Sequence, residues 1–270
     1  MEFPKFENKA IDIHSHFNHG VSGDDYTPAF DGLSVYTLDF MLSENARIGI
    51  EQVGYSTYAS VLSSDNIASE NEYLKSVSEN TENIYQWVVV HPKQDETFKQ
   101  AEEMLSSKKV LGIKIHSPMH KYDICEHADK IFSFADKMGT VVLMHPDKIS
   151  AMPAFADKYP NMKLIIAHLG SRAHIDAIKA AKHGNIYTDT SGGLSSLNNV
   201  IEYAVASVGS EKILFGTDTY SPVFQYSRIA LARISQTDKE NILYKNATKL
   251  FPDTFGKSIT PKRKKIDLKN

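Results

Sequence analysis

Short runs of apolar and β-branched residues recur along this chain, and a stretch with helical spacing follows nearly every one. The runs are AIDI before His14, QVGYSTYA at 52–59, YQWVVV before His91, VLGIKI before His116, TVVLM before His145, KLIIA before His168, NIYTDT at 185–190 and KILFG before Thr217. Several are apolar nearly throughout, as expected of parallel strands covered on both faces. Between them, ETFKQAEEMLSS sets Phe98, Ala101, Met104 and Leu105 on one helical face, and EHADKIFSFADKMG does the same with Ala128, Ile131, Phe132 and Ala135. Gly139, Gly184 and Gly209 stand where helices should stop. Strand–helix alternation at about 25–30 residues per unit argues for parallel strands and right-handed crossovers. Eight such units predict an α/β fold, a single (β/α)8 TIM barrel. No G-x-G-x-x-G follows any strand, so a dinucleotide fold has no support.

The 270 residues suit one such barrel, and 1–270 read as one domain with a polar arm at about 258–270. FNHGVSGDDYTPAFDG, after the first strand, is turn-rich and is expected to lie over the barrel mouth, and Tyr26, Phe30 and Tyr36 in this region read equally as an aromatic lining of the mouth or as packing residues. With 30 basic and 33 acidic residues the net charge is -3, which gives no reason to expect nucleic acid or a membrane as partner. One cysteine, Cys125, excludes an intrachain disulfide and a zinc–thiolate cluster. The start MEFPKFENKA has no apolar leader, and no apolar run is long enough to span a bilayer, so a cytoplasmic protein is expected.

The chemistry-bearing residues gather where the strands end. His14 and His16 close the first strand; alternate residues share a face, so both rings can enter the barrel. His91 follows the third strand, Lys114 and His116 belong to the fourth, His145 follows the fifth, His168 the sixth, and Asp218 the eighth. Barrel enzymes place their chemistry at these C-terminal strand ends. Imidazole nitrogen and carboxylate oxygen suit Zn²⁺ and similar divalent ions, which activate water. His91 reads as closing its strand, and His19, His120, His127, His174 and His183 as loop or helix-surface residues. Arg172, in the turn after His168, reads either as a surface or helix-start arginine or as a bidentate partner for a substrate carboxylate.

IDIHSH, VVLMHP, LIIAHLG and LFGTD, in that order, resemble the amidohydrolase superfamily, and the closest branch is the amidohydrolase-related group that also holds the aminocarboxymuconate-semialdehyde decarboxylase-like enzymes. NATKLF at 246–251 resembles the helix after that group's eighth strand. The resemblance implies that His14, His16, His145 and Asp218 bind one metal, Zn²⁺ or another divalent ion. It leaves His168 free for proton transfer, with Asp218 also orienting the water. In two-metal members a fourth-strand lysine is carboxylated and bridges the ions. Lys114 therefore leaves a second metal open, with His168 as its ligand. Otherwise Lys114 neutralises the site or binds a substrate anion, and His116 shares its face.

The expected activity is metal-dependent hydrolysis of an amide, ester or lactone of a small molecule. The alternative is non-oxidative decarboxylation of an aromatic or unsaturated acid. A homo-oligomer is compatible with either.

Overall fold

A computed structural model describes residues 9–19 and 36–255. Tyr26, Phe30 and the arm at 258–270 lie outside the described residues. Eight parallel strands stand in sequence order: β1 (Ala10–Phe17), β2 (Ile50–Thr57), β3 (Ile84–Val89), β4 (Val110–Ile115), β5 (Val141–Met144), β6 (Lys163–Ile166), β7 (Ile186–Asp189) and β8 (Ile213–Leu214). Beyond the short β8, single bonds tie the chain to β1. Ile13 N donates to Phe215 O at 3.0 Å, Asp218 N to His14 O at 2.7 Å, and His16 N to Asp218 O at 3.2 Å. These bonds close the barrel, as the alternation predicts. Among the described residues no helix is long and apolar enough to cross a membrane.

Two apolar layers arise from strand periodicity. Inside the barrel, Ile11, Ile13, Trp87, Leu111, Leu143, Ile165 and Leu214 form one cluster, which Phe251 and Phe255 join. Outside, Val88, Ile113, Ile115, Val142, Met144, Leu164 and Ile166 pack against Ala128, Ile131, Phe132 and Ala135 of the helix Ile124–Met138. That helix ends at Gly139, whose φ of 61° is the left-handed cap the sequence predicts. The helix Val200–Val208 also stops at Gly209. The helix Arg172–Ala180 ends before the expected Gly184, because Ala181 already leaves helical geometry; Gly184 turns the chain afterwards, its amide donating to Ala181 O at 3.1 Å.

β1 departs from regular alternation where the site is built. Its partners step from Asp12↔Val53 to Ser15↔Tyr55, an advance of three residues on β1 against two on β2. A bulge of this kind reverses the facing of the residues beyond it. Ile13 packs in the barrel interior, yet His14 and His16, of opposite parity, also reach the central cluster.

Candidate metal centre

His14, His16 and Asp218 come together at the C-terminal mouth, with one ligand atom from each lying within 4.8 Å of the others. His14 Nε2 and His16 Nε2 are 3.2 Å apart, and Asp218 Oδ1 is 3.6 Å from His16 Nε2. Asp218 reaches the cluster because it holds φ of 57°, and His168 likewise holds 63°. Non-glycine residues in this region carry strain that surrounding bonds must hold in place. For Asp218 those bonds are its amide to His14 O and its carbonyl, which accepts from Ser15 Oγ at 2.9 Å. Beneath them, the buried Asp12 accepts from the amides of His14 and Thr217 at 3.0 and 3.2 Å and from Thr217 Oγ1 at 2.5 Å, tying β1 to the Gly216-Thr217-Asp218 turn. Burial pushes the Asp12 carboxyl up to about 8.

The hydrogen bonds fix which ring nitrogens face the centre. His14 Nδ1 lies 2.9 Å from Asp189 Oδ2, and His16 Nδ1 lies 3.0 Å from Ser56 O. A carboxylate and a carbonyl only accept, so both Nδ1 atoms carry protons and both Nε2 atoms present lone pairs. Two lone pairs facing each other at 3.2 Å repel unless a cation meets them. Lys114 Nζ, fully buried, meets one, at 2.9 Å from His14 Nε2. Burial pulls the Lys114 ammonium down to about 8, against the opposing pull of Asp189 and Asp218. Burial, with the Lys114 charge behind it, also pulls the His14 imidazole down to about 4, and burial holds His16 well below the usual histidine range. Neutral imidazoles with aligned lone pairs and an adjacent carboxylate are the donor set a divalent ion requires, and the residues present fit such an ion.

The other residues singled out in the sequence take different places. His168 Nε2 lies 3.2 Å from His145 Nδ1, and His168 Nδ1 is 4.0 Å from Asp218 Oδ2. His145 stacks on His116, ring centres 3.9 Å apart at 15°, and burial drives its imidazole down to about 2. His145 thus borders the cluster without joining the three-residue group. His116 accepts the Met119 amide on Nδ1 at 3.3 Å. Arg172 is exposed; its guanidinium sits 5.3 Å over the Tyr203 ring, beside a groove lined also by Leu169, Ile175, Leu197 and Asn198. None of the clustered residues lines that groove. His91 accepts the Lys93 amide on Nδ1 at 3.3 Å, a turn-closing role. Two histidines expected in loops or on helix surfaces are buried. His120 bonds Ser60 O and His174 bonds Ala167 O, each through Nε2 at 3.0 Å.

One site residue is absent from the sequence-based expectation. Asp189, at the end of β7, is fully buried and accepts three bonds besides the one from His14: its Oδ1 takes the His168 amide and the Ser191 amide, both at 3.0 Å, and Ser191 Oγ at 2.5 Å. Burial alone would raise its carboxyl, but His14 and the other donors hold it well below the usual carboxylate range. His14, His168 and Asp189 also form a compact triple of ligand atoms. There the close approach is that of a carboxylate to ring and backbone donors, so it describes a hydrogen-bond network. NIYTDT does carry the signal: an acidic residue at the strand end, where the neighbouring strands place their histidines.

The Amidohydrolase family profile matches residues 11–252. No curated protein sequence matches significantly. Solved structures of similar fold include a 2,6-dihydroxybenzoate decarboxylase from Rhizobium, 14% identical with a TM-score of 0.70 over 90% of this chain and 98% of that one. A dihydroxybenzoic acid decarboxylase from Polaromonas sp. JS666, with bound manganese and the inhibitor 2-nitroresorcinol, is 16% identical with a TM-score of 0.66 over 91% and 97%. A protein assigned as a 2-pyrone-4,6-dicarboxylic acid hydrolase from Pseudomonas putida is 18% identical with a TM-score of 0.66 over 91% and 98%. With the family profile spanning nearly the whole barrel, the chain belongs to the amidohydrolase superfamily, in its amidohydrolase-related branch.

Proposed function

We propose that the chain is a metal-dependent hydrolase that opens an amide, ester or lactone of a small molecule. The observation that carries this reading is the facing pair of Nε2 lone pairs on His14 and His16, with the Asp218 carboxylate beside them. His14, His16 and Asp218, with His145 as the remaining ligand, would hold one divalent ion, for which zinc is our first choice. A bound ion there supplies Lewis-acid activation of water and of a substrate carbonyl.

The chain's own residues direct the protons. Asp218 turns Oδ1 towards His16 and Oδ2 towards His168, so it can orient a water and accept its proton. His168, held outside the His14–His16–Asp218 group, takes over that proton and passes it to the departing group from the other side of the Asp218 carboxylate. Lys114 remains an unmodified ammonium in this reading and offsets negative charge on the substrate; its Nζ, 2.9 Å from His14 Nε2, would yield that lone pair to a bound ion.

Decarboxylation of an aromatic or unsaturated acid is the second reading. The decarboxylases among the fold relatives favour it, as does a buried cation able to hold a carboxylate. Titrating released acid from a panel of lactones, esters and amides, beside measuring CO₂ from aromatic acids, separates the two. Acid release without CO₂ is expected; CO₂ release alone would replace hydrolysis with decarboxylation.

A further inference from the structure

We infer that Asp189 is a shared positioning residue: one carboxylate that fixes the tautomer of His14 directly and that of His168 through Ser191. The argument is a count of protons. Ser191 Oγ has one hydrogen, and it stands 2.5 Å from Asp189 Oδ1, an obligate acceptor when ionised. With that hydrogen committed, Ser191 Oγ can only accept from its other neighbours. His168 Nδ1, 2.8 Å away, is therefore N–H. His14 Nδ1 is N–H as well, shared between Asp189 Oδ2 at 2.9 Å and Ser191 Oγ at 3.0 Å.

Both rings consequently turn lone pairs outward from the carboxylate. His14 Nε2 faces His16 and Lys114, and His168 Nε2 faces His145 Nδ1 at 3.2 Å. Asp189 also fixes the ring positions, since its Oδ1 holds the His168 backbone amide in the left-handed turn that aims this side chain. The two rings stack with centres 5.1 Å apart at 28°, as two imidazoles hung from one carboxylate would. Asp189 and Ser191 are both buried, so no water competes for these bonds. The anchor of His16, a backbone carbonyl, fixes a single ring; Asp189 fixes two and makes their orientations interdependent.

The His14 half of this inference rests on the metal reading above; the His168 half does not. The test uses the full chain with zinc bound and histidine labelled with ¹⁵N. Ring nitrogen shifts in the unmodified protein should show His14 and His168 both protonated on Nδ1. In Ser191→Ala, His168 should lose this single tautomer while His14, still bonded to Asp189 Oδ2, stays protonated on Nδ1. Asp189→Asn presents an amide N–H₂ to donors already in place. It should weaken zinc binding about 10- to 100-fold, the usual cost of losing a carboxylate that orients a metal-bound imidazole. His168 protonated on Nε2 in the unmodified chain, or unchanged zinc affinity in Asp189→Asn while His14→Ala loses zinc, overturns the inference and leaves the metal reading standing. A chain that binds no divalent ion but shows both Nδ1–H tautomers does the reverse: the relay holds and the metal reading fails.

Discussion

His14 and His168 hang from one carboxylate, yet they should answer substitution differently. His14→Ala or Asp218→Ala removes a member of the proposed ligand group, and elemental analysis is expected to show metal and activity lost together. His168→Asn removes the proposed proton carrier. It should retain about one ion per chain while turnover falls by about 10²–10⁴, the range for a lost general acid or base. Lys114→Ala should likewise retain one ion; two ions in the parent protein and a disrupted pair in this variant would mean a carboxylated bridge and a ligand role for His168. The strand-end residues are legible in the sequence because one rule, chemistry at the C-terminal ends of barrel strands, selects them together. Asp189 obeys the same rule, and its place at a strand end is legible; its pairing with His14 is not, because the two lie 175 positions apart and nothing local marks the contact. His120 and His174 mislead for the converse reason. An imidazole that satisfies a backbone carbonyl looks, in sequence, like any polar residue in a loop or helix.

At the scale of elements, strand positions can be read from apolar runs because a parallel strand covered on both faces has little freedom in composition. What the runs do not show is phase. The bulge between Asp12 and Ser15 aims His14 and His16 into the barrel, and no residue there announces it. Helix ends are legible where glycine caps them and not where alanine does, as the early stop at Ala180 shows. The interior of the barrel is equally exacting. A Cβ on Gly54 of β2 would come within 2.5 Å of Leu111 Cδ1 and 3.0 Å of Trp87 Nε1, the group that donates to Ile13 O on β1 at 2.6 Å. Gly54→Ala is expected to cost about 1–3 kcal/mol in urea unfolding, the range for overpacking a dense core. On the outside, Glu202 of the helix Val200–Val208 accepts from Arg228 at 2.9 Å and from the Arg233 amide at 3.0 Å, pinning the helix Pro222–Ala230. Burial opposes its ionisation, but these donors more than offset that and draw the carboxyl down to about 2 from 4.5. A depressed folded pKa contributes stability that is whole above the unfolded value and fades as pH falls through the folded one. Glu202→Gln should therefore be less stable by about 1–2 kcal/mol at pH 7, with the gap closing between pH 4.5 and about 2. A gap that stays constant across that window would rule the carboxylate out as its source.

For the whole molecule, the decisive feature is where the proposed ligands lie on the ring of strands. The barrel closes between β8, its shortest strand, and β1. His14 and His16 belong to β1, and Asp218 lies just beyond β8, so the proposed ion would bridge that closing seam. Binding to the folded chain alone stabilises it by about 2.7 kcal/mol at a free-ion concentration 100 times the dissociation constant. For a chain of this size that is a rise of roughly 5–10 °C in melting temperature. Adding a chelator should reverse the rise, and His14→Ala should abolish it. Hydrogen exchange should locate it. The amides of Ile13, His16, Thr217 and Asp218, which carry the closing bonds, are expected to slow on metal addition more than the amides paired between β4 and β5. Uniform slowing would mean that the ion stabilises the fold without stapling its seam. A melting temperature indifferent to saturating zinc, manganese and chelator would mean that no ion holds β8 to β1, and the assignment of His14, His16 and Asp218 as ligands would fall with it.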